Sequence, residues 1–155
     1  MKKWIGAILV AAFVSCLSPV ASADIFDDSK VKVIYNGTEQ NFEPKAVIWN
    51  DYTLVPFRQV FELYGADVQW NNETKMITAT KDDLSIEIPA SGKKAFINGE
   101  EIELAQGPLN AKGTTLVGLR FVSEALGAEV SFDKATLTVY INTDEFEPEF
   151  FGITQ

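Results

Sequence analysis

Two arginines could bind an anionic ligand, because they occupy the same place in two similar phrases of the chain. Arg58 ends the phrase TLVPFR, and Arg120 ends the phrase TLVGLR sixty-two positions later. Each arginine precedes a glutamate, Glu62 or Glu124, by four positions, a spacing that permits an ion pair on one helix face. A guanidinium carries five donors, so each arginine could also hold backbone carbonyls of the preceding loop. We interpret both arginines as structural first and as candidate ligand contacts second.

Aromatic side chains outside a core could stack on sugar rings or pack against a partner protein. Trp49 and Tyr52 lie in the segment just before the first phrase, and Trp70 follows it. Trp70 aligns with Phe132 of the second phrase, which predicts a core position for both. Trp49 aligns with Ala111 and has no aromatic counterpart. Trp49 and Tyr52 are therefore the candidate surface contacts of this group.

The last residues, 143–155, form an acidic tail that carries three phenylalanines. Phe146, Phe150 and Phe151 alternate with acidic residues, and Pro148 opposes a continued strand. This composition predicts one of two roles: the tail docks on a partner, or it folds back over an apolar edge. It contains no wall-anchoring signal. The three phenylalanines are candidate partner contacts.

The composition excludes most catalytic chemistry. The chain has no histidine, which removes the Ser-His-Asp triad and the imidazole sites for zinc, copper and iron. Acidic pairs occur at residues 27–28, 82–83 and 100–101, but neighbours on a strand face opposite ways. No long pocket-forming loop and no D-x-D-x-D-G calcium loop is evident. We predict no catalytic residue, no metal ligand and no cofactor.

The first 23 residues are typical of a secretory signal peptide. A basic start and an apolar run over residues 4–17 precede Ala21-Ser22-Ala23, which suits cleavage after Ala23. The apolar run is too short for a membrane anchor. An alternative reading makes Cys16 the lipid-accepting cysteine of a lipoprotein. We predict a secreted or cell-wall-associated protein with no transmembrane segment after cleavage.

The charge of the chain bears on its partners. The formal net charge is −9 at pH 7, and the sequence contains no cluster of lysines and arginines. Such a surface repels nucleic acids, which we exclude as partners. The single cysteine lies in the predicted signal peptide. The exported chain therefore depends on packing for its stability, and no disulfide contributes.

Short helices are predicted to position the two arginines. The apolar residues of the first helix recur at i, i+3, i+4 and i+7: Phe57, Val60, Phe61 and Tyr64. The second helix repeats this face with Leu119, Val122 and Leu126. Gly65 and Gly127 stand where left-handed caps would end the helices. Asn-Gly pairs at residues 36–37 and 98–99 predict hairpins within alternating strands, whereas residues 43–52 and the segment around Gly107-Pro108 are predicted loops.

These elements occur twice. Residues 35–71 align without gaps on residues 97–133 with twelve identities in 37 positions, against roughly two by chance. We predict an α+β fold, a mostly antiparallel sheet with two short helices, built from two tandem pseudo-repeats. A lead-in over residues 24–30 would precede one domain over residues 31–142. Its repeats would span about residues 31–82 and 84–142.

The combined pattern resembles a known family. The pattern consists of an Asn-Gly hairpin, the phrase Thr-Leu-Val-Pro-Phe-Arg, a helix ending in Gly-Ala and a Val-x-Trp strand, and most of it occurs twice. It is similar to the pattern of the copper amine oxidase N-terminal-like domain. This family, also called the stalk domain, is common in exported proteins of Gram-positive bacteria. The resemblance implies a non-catalytic envelope module, and it does not imply copper, because copper chemistry belongs to a separate catalytic domain. Gly118 replaces the usual proline, which predicts a less rigid start for the second helix.

The leading functional prediction is a secreted, non-catalytic cell-envelope module. It would bind another exported protein or a cell-wall polymer, with no cofactor. The alternative is a small carbohydrate-active enzyme, which needs two carboxylates across a cleft, or a carbohydrate-binding accessory to one. A third reading is a structural spacer without a ligand.

Overall fold

Thirteen strands and two helices make up residues 29–144, the part of the chain that this computed structural model describes. The helices are α1 (Phe57–Leu63) and α2 (Leu119–Ala125). The strands are β1 (Lys32–Tyr35), β2 (Thr38–Gln40), β3 (Val47–Trp49), β4 (Tyr52–Pro56), β5 (Asp67–Asn71), β6 (Met76–Lys81), β7 (Leu84–Pro89), β8 (Lys94–Ile97), β9 (Glu100–Glu103), β10 (Leu109–Ala111), β11 (Thr114–Gly118), β12 (Glu129–Asp133) and β13 (Thr138–Asn142). The prediction of a mostly antiparallel α+β fold with two short helices is confirmed. The predicted signal peptide and tail residues 145–155 lie outside the described residues.

The two halves of the chain build the same series of elements. Each begins with a hairpin (β1–β2 or β8–β9), continues with two strands and a helix (β3–β4–α1 or β10–β11–α2), and ends with a second hairpin (β5–β6 or β12–β13). At the first hairpin of each half, the Asn-Gly pair adopts positive φ at both residues, 46° and 76° at residues 36–37. This is the conformation of a two-residue hairpin turn.

The strands form three sheets, and each sheet joins the two halves. The β4 sheet has the order β10-β11-β4-β3, in which β11 and β4 pair antiparallel across the repeats. The β1 sheet, of order β12-β13-β1-β2, contains a parallel pair of β1 and β13. The β7 sheet has the order β5-β6-β7-β8-β9, and β7 links the halves there. The repeats are interlocked and do not merely stack.

The prediction that residues 43–52 form a loop is correct for residues 43–46, which lie outside the strands, and wrong for the rest. This segment contains β3 and the start of β4, joined by a turn in which Asn50 and Asp51 have φ of 48° and 67°. The second half likewise contains β10, joined to β11 through Lys112 and Gly113 at positive φ. These strands are three residues long, so their local pattern is weak and pairing within the sheet decides their conformation.

The helix ends match the prediction of left-handed glycine caps. Gly65 has φ of 68°, and its N–H donates to the carbonyl of Glu62 at 2.9 Å. The N–H of Ala66 reaches the carbonyl of Phe61 at 3.1 Å, which satisfies two carbonyls at the end of α1. Gly127, with φ of 82°, and the alanine after it make the same bonds at the end of α2. The repeated Gly-Ala pair therefore preserves a helix stop.

One main core lies between the helices and the sheets. The predicted helical faces are buried in it, including Phe57, Val60, Leu119 and Val122. A smaller apolar cluster contains Leu54 and Leu116 on the central strands of the β4 sheet. Each helix has seven residues, and among residues 29–144 none is long and apolar enough to cross a bilayer.

Candidate functional site

Both arginines bind backbone of the strand that follows their helix. The Nη1 of Arg58 donates to the carbonyl of Val68 at 3.3 Å, and the Nη1 of Arg120 donates to the carbonyl of Val130 at 3.2 Å. The arginines were predicted to bind backbone carbonyls of the preceding loop. They do bind backbone carbonyls, but these belong to the strand after the helix, so the predicted location is wrong. The Arg120 guanidinium also lies 3.4 Å from a carboxylate oxygen of Glu124. Each arginine thus ties its helix to the next hairpin.

A cavity of about 810 Å³ opens beside Arg120, and we call it the α2 cavity. Its walls come from α2, the β3–β4 turn, the segment after β9 and the β12–β13 hairpin. The apolar lining includes Ile48, Tyr52, Leu119, Phe121, Phe132 and Leu137. Its volume falls in the range of ligand pockets, roughly 300–1,000 Å³. The sequence shows no long pocket-forming loop, and hairpin turns and a helix enclose this cavity instead.

Three large apolar side chains at the cavity rim face solvent. Ile48, Tyr52 and Leu137 are 39%, 40% and 36% exposed. Leu137 immediately precedes β13 and has φ of 52°. Its aligned residue in the first half, Lys75, has φ of 53°. The turn therefore has the same backbone in both halves, and the second half places leucine where the first has lysine.

The equivalent place in the first half is more filled. Phe57 and Trp70 stand where α2 and β12 have Leu119 and Phe132, and the two larger rings lie 6.1 Å apart. The Arg58 guanidinium lies 5.4 Å from the centre of the Phe57 ring. A pocket of only about 290 Å³, lined in part by residues that align with the α2 cavity, remains there. The smaller side chains of the second half leave the larger space.

A hydrogen-bonded pair also narrows the site of the first half. The Gln59 side chain donates to the carbonyl of Glu43 at 2.6 Å and accepts from the Glu43 N–H at 3.0 Å. This pair holds the segment after β2 against α1. Phe121 aligns with Gln59 and cannot make such bonds, so the segment after β9 has no equivalent tie to α2. Phe121 instead contributes apolar surface to the α2 cavity.

The charges at the α2 cavity are mixed. Glu124 lies beside Arg120. Glu103 lies opposite Lys94 in the β8–β9 pairing, and the pKa of Lys94 is raised by its hydrogen bond to Glu101, with a smaller contribution from Glu103. Lys134 has no hydrogen-bond or ion-pair partner within the described part of the chain. It is therefore available to a carboxylate of a ligand.

The structure brings together only some of the predicted contact residues. Tyr52 and Arg120 line the α2 cavity, whereas Arg58 belongs to the first half. Trp49 lies on β3 opposite Tyr52 and is 38% exposed, outside the cavity lining. Phe146, Phe150 and Phe151 lie outside the described residues. The aligned repeats carried a signal for the missed residues: Phe121 and Leu137 are apolar where the first half has glutamine and lysine.

The side chains do not fit a copper site. The chain contains no histidine, and residues 29–144 contain no group of three or more histidine, cysteine, aspartate or glutamate side chains that could hold a metal ion. The α2 cavity is instead suited to binding, because an apolar interior with a few charged groups at its rim is typical of ligand sites.

The sequence is similar to a protein family and to individual known proteins. The family model described as the copper amine oxidase N-terminal domain matches residues 34–141. A primary amine oxidase of Klebsiella aerogenes is 28% identical over 71 residues, which cover 46% of this chain and 9% of that protein. A protease inhibitor of Brevibacillus choshinensis is 28% identical over 145 residues, 92% of this chain and 44% of that protein. This chain thus spans less than half the length of either relative.

The family match confirms the resemblance that the doubled phrases indicated. The matched residues include both helices, both arginines and all the strands that enclose the α2 cavity. The family is a non-catalytic accessory domain. The chain belongs to the copper amine oxidase N-terminal domain family.

Proposed function

We propose that this protein is an exported, non-catalytic binding module whose α2 cavity receives an apolar segment of another exported protein. The observation that carries the proposal is the difference between the surroundings of the two helices. The same scaffold occurs twice, yet among the described residues only the surface at α2 combines the large cavity with an exposed apolar rim, formed by Ile48 and Tyr52 of the first half and Leu137 of the second half. Large apolar side chains exposed together at a concave surface are typical of interaction sites.

The chemistry of the lining supports a protein segment over a wall polymer. Leucine, phenylalanine, isoleucine and valine side chains dominate the walls, and they match apolar side chains better than the hydroxyl groups of a glycan. A pocket of this kind accepts one or two anchoring side chains of a partner. The relative from Brevibacillus choshinensis is named a protease inhibitor, and that name also supports a protein partner, with an exported protease as one candidate.

Retention of secreted proteins on the immobilised chain, from residue 24 onward, tests the proposal. We expect Tyr52→Ser to lower the affinity for the retained protein by about tenfold or more, as at an interface hot spot. Tyr140→Ser is the matched control: Tyr140 has the same 40% exposure but lies outside the cavity lining, so its loss should leave retention unchanged. Trp49→Ala shows whether the neighbouring aromatic surface takes part.

A second variant closes the cavity without removing apolar surface. Leu119→Phe with Phe132→Trp installs the pair that fills the first half, where Phe57 and Trp70 already pack in this framework. We expect the double variant to remain folded and to retain no partner. Equal retention by the wild type, the double variant and Tyr52→Ser would contradict the proposal. Retention on purified cell wall alone would favour the polymer reading.

A further inference from the structure

We propose that the partner binds as an extended segment that adds a strand to the outer edge of β3, an inference that rests on the proposed binding function. Among residues 29–144, β3 has a strand neighbour on one side only, because it lies at the end of the β4 sheet. Its central residue, Ile48, lines the α2 cavity and is 39% exposed. The edge of β3 and the cavity therefore form one continuous surface.

β3 differs in its side chains from the other edge strands of the described sheets. The three sheets have six edge strands, and five of them carry at least one acidic or amide side chain: β2, β5, β9, β10 and β12. Such side chains discourage pairing with another chain. Arg58 and Arg120 also bind carbonyls of β5 and β12. β3 consists only of Val47, Ile48 and Trp49, of which the last two are exposed, so its edge lacks this protection.

The equivalent edge of the second half shows that the scaffold does not require an apolar edge. β10 lies at the opposite end of the β4 sheet and pairs with β11 as β3 pairs with β4. Asn110 and Ala111 of β10 align with Ile48 and Trp49. The apolar edge occurs at the end of the sheet that borders the α2 cavity, which favours a role in binding.

The backbone of Ile48 is oriented to receive an added strand. Asn50 and Asp51 form a two-residue turn with φ of 48° and 67°, so Trp49 and Tyr52 are the hydrogen-bonded pair that closes the hairpin. Hydrogen-bonded and non-hydrogen-bonded pairs alternate, so the N–H and C=O of Ile48 point away from β4. A partner residue opposite Ile48 can form both bonds, and its side chain then lies beside Ile48 at the cavity.

The two ends of β3 determine where the added strand runs and what charge it carries. The Ser29 hydroxyl donates to the carbonyl of Ala46, which covers the edge before β3. The added strand therefore runs from Ile48 past the β3–β4 turn. Asp51 in this turn is exposed and has no hydrogen-bond or ion-pair partner within the described residues. A lysine or arginine of the partner segment can pair with it, and added salt should weaken that pairing.

A synthetic peptide that favours the extended conformation tests the arrangement. In the probe, leucine and threonine alternate over six residues between two terminal lysines. In the control peptide, proline replaces each threonine and prevents strand pairing. Isothermal titration calorimetry on the chain from residue 24 onward should show saturable binding of the probe and none of the control peptide. Absence of saturable binding of the probe would overturn the proposal.

Variants at the two ends of the β4 sheet locate the bound peptide. Ile48→Pro removes the outward N–H without loss of a bond to β4, whereas Ile48→Ala removes the side chain and keeps the N–H. We expect Ile48→Pro to bind the probe about tenfold more weakly than Ile48→Ala, because one carbonyl of the peptide then stays unpaired. Asn110→Pro is the matched control on β10 and should bind like the wild type. Equal affinity of the two Ile48 variants would contradict strand addition.

Amide hydrogen exchange measures the pairing directly. The N–H of Ile48 should exchange about tenfold more slowly when the probe is bound, and that of Asn110 should not change. Retention of the partner protein separates this inference from the binding function. Loss of retention in Tyr52→Ser together with unchanged retention in Ile48→Pro would contradict strand addition alone, whereas unchanged retention in both would contradict the binding function as well.

Discussion

Arg58 and Arg120 make equivalent bonds to backbone in different surroundings, so their removal should have different effects. Replacing either by alanine leaves a strand carbonyl without its charged donor, and we expect a loss of about 1–2 kcal/mol in the free energy of unfolding. Arg58→Ala also removes the contact with the Phe57 ring, so its loss should be the larger. Urea denaturation measures both.

Partner binding separates the two arginines further. Arg120 lines the α2 cavity and Arg58 does not, so only Arg120→Ala should weaken partner retention. Arg120→Lys would keep the charge and lose the planar donor geometry. If Arg58→Ala weakened retention as much as Arg120→Ala, the assignment of the site to the α2 cavity would be wrong.

Tyr64 should make the fold sensitive to alkaline pH. Its side chain is buried, and burial raises its pKa to about 12, with the neighbouring Ser123 hydroxyl acting in the opposite direction. The unfolded chain ionises Tyr64 near pH 10, so between pH 10 and 12 the unfolded state binds fewer protons than the folded state. Stability is therefore complete below pH 10 and falls through this window, by about 2–3 kcal/mol from this residue. Urea denaturation at pH 8 and pH 11 measures the loss.

Tyr64→Phe is the control for the alkaline effect. Among the described residues, neither the Tyr64 hydroxyl nor the Ser123 hydroxyl has a hydrogen-bond partner. Removing the Tyr64 hydroxyl therefore deprives no other buried polar group of a hydrogen bond. We expect unchanged or slightly higher stability at pH 7, within about 1 kcal/mol, and a smaller loss at pH 11. Alkaline unfolding as steep as that of the wild type would assign the effect to other tyrosines.

At the scale of elements, the two repeats differ in the residue that precedes each helix, and exchanging these residues tests its effect on stability. Gly118 has φ of −63° and Pro56, its counterpart before α1, has φ of −57°. A proline fits this angle, and a Cβ at residue 118 would meet nothing within 4 Å. We expect Gly118→Pro to stabilise the fold by about 0.4–1 kcal/mol, because it restricts the unfolded chain. Thermal unfolding measures the gain.

The reverse substitution, Pro56→Gly, is the control for Gly118→Pro. Pro56→Gly should lose a larger free energy than Gly118→Pro gains, because the glycine frees the unfolded chain and also removes the buried ring of Pro56. Gly118 also lines the α2 cavity, so retention of the partner should be measured beside stability. Destabilisation by Gly118→Pro would mean that the N–H of residue 118 has a role that Pro56 does not share.

The elements that could be predicted from sequence are those that local chemistry determines. The apolar spacing of α1, the Asn-Gly turns and the caps at Gly65 and Gly127 all depend on residues within one or two turns of chain. Strands β3 and β10 could not be found this way, because each is three residues long and gains its conformation from pairing within the β4 sheet. The predicted loops there were wrong for that reason.

The α2 cavity was hidden from sequence for a different reason. It arises where Leu119 and Phe132 are smaller than the aligned Phe57 and Trp70, and a missing volume leaves no pattern in a single sequence. Tyr52 and Arg120 were predicted as contact residues from their residue types, and the fold brings them to one site. Trp49 was nominated on the same grounds and lies outside the cavity lining.

At the scale of the whole molecule, the two repeats complete each other's sheets. In the β1 sheet, β1 of the first repeat lies between β2 and β13. In the β4 sheet, β4 lies between β3 and β11, and the main core draws buried residues from both halves. A repeat on its own would therefore expose strand edges and half of a core.

We expect that neither half folds alone. A fragment of residues 24–82 would lose the partners of β1, β4 and β6, and a chain of about 60 residues buries only about 60% of its unfolded surface even when its core is complete. Circular dichroism of this fragment, and of residues 83–155, should show no cooperative unfolding. Mixing the two should restore strand signal at high concentration, because each supplies the edges that the other lacks. A cooperative transition in the isolated first fragment would contradict the shared core, and would make the repeats two domains in contact.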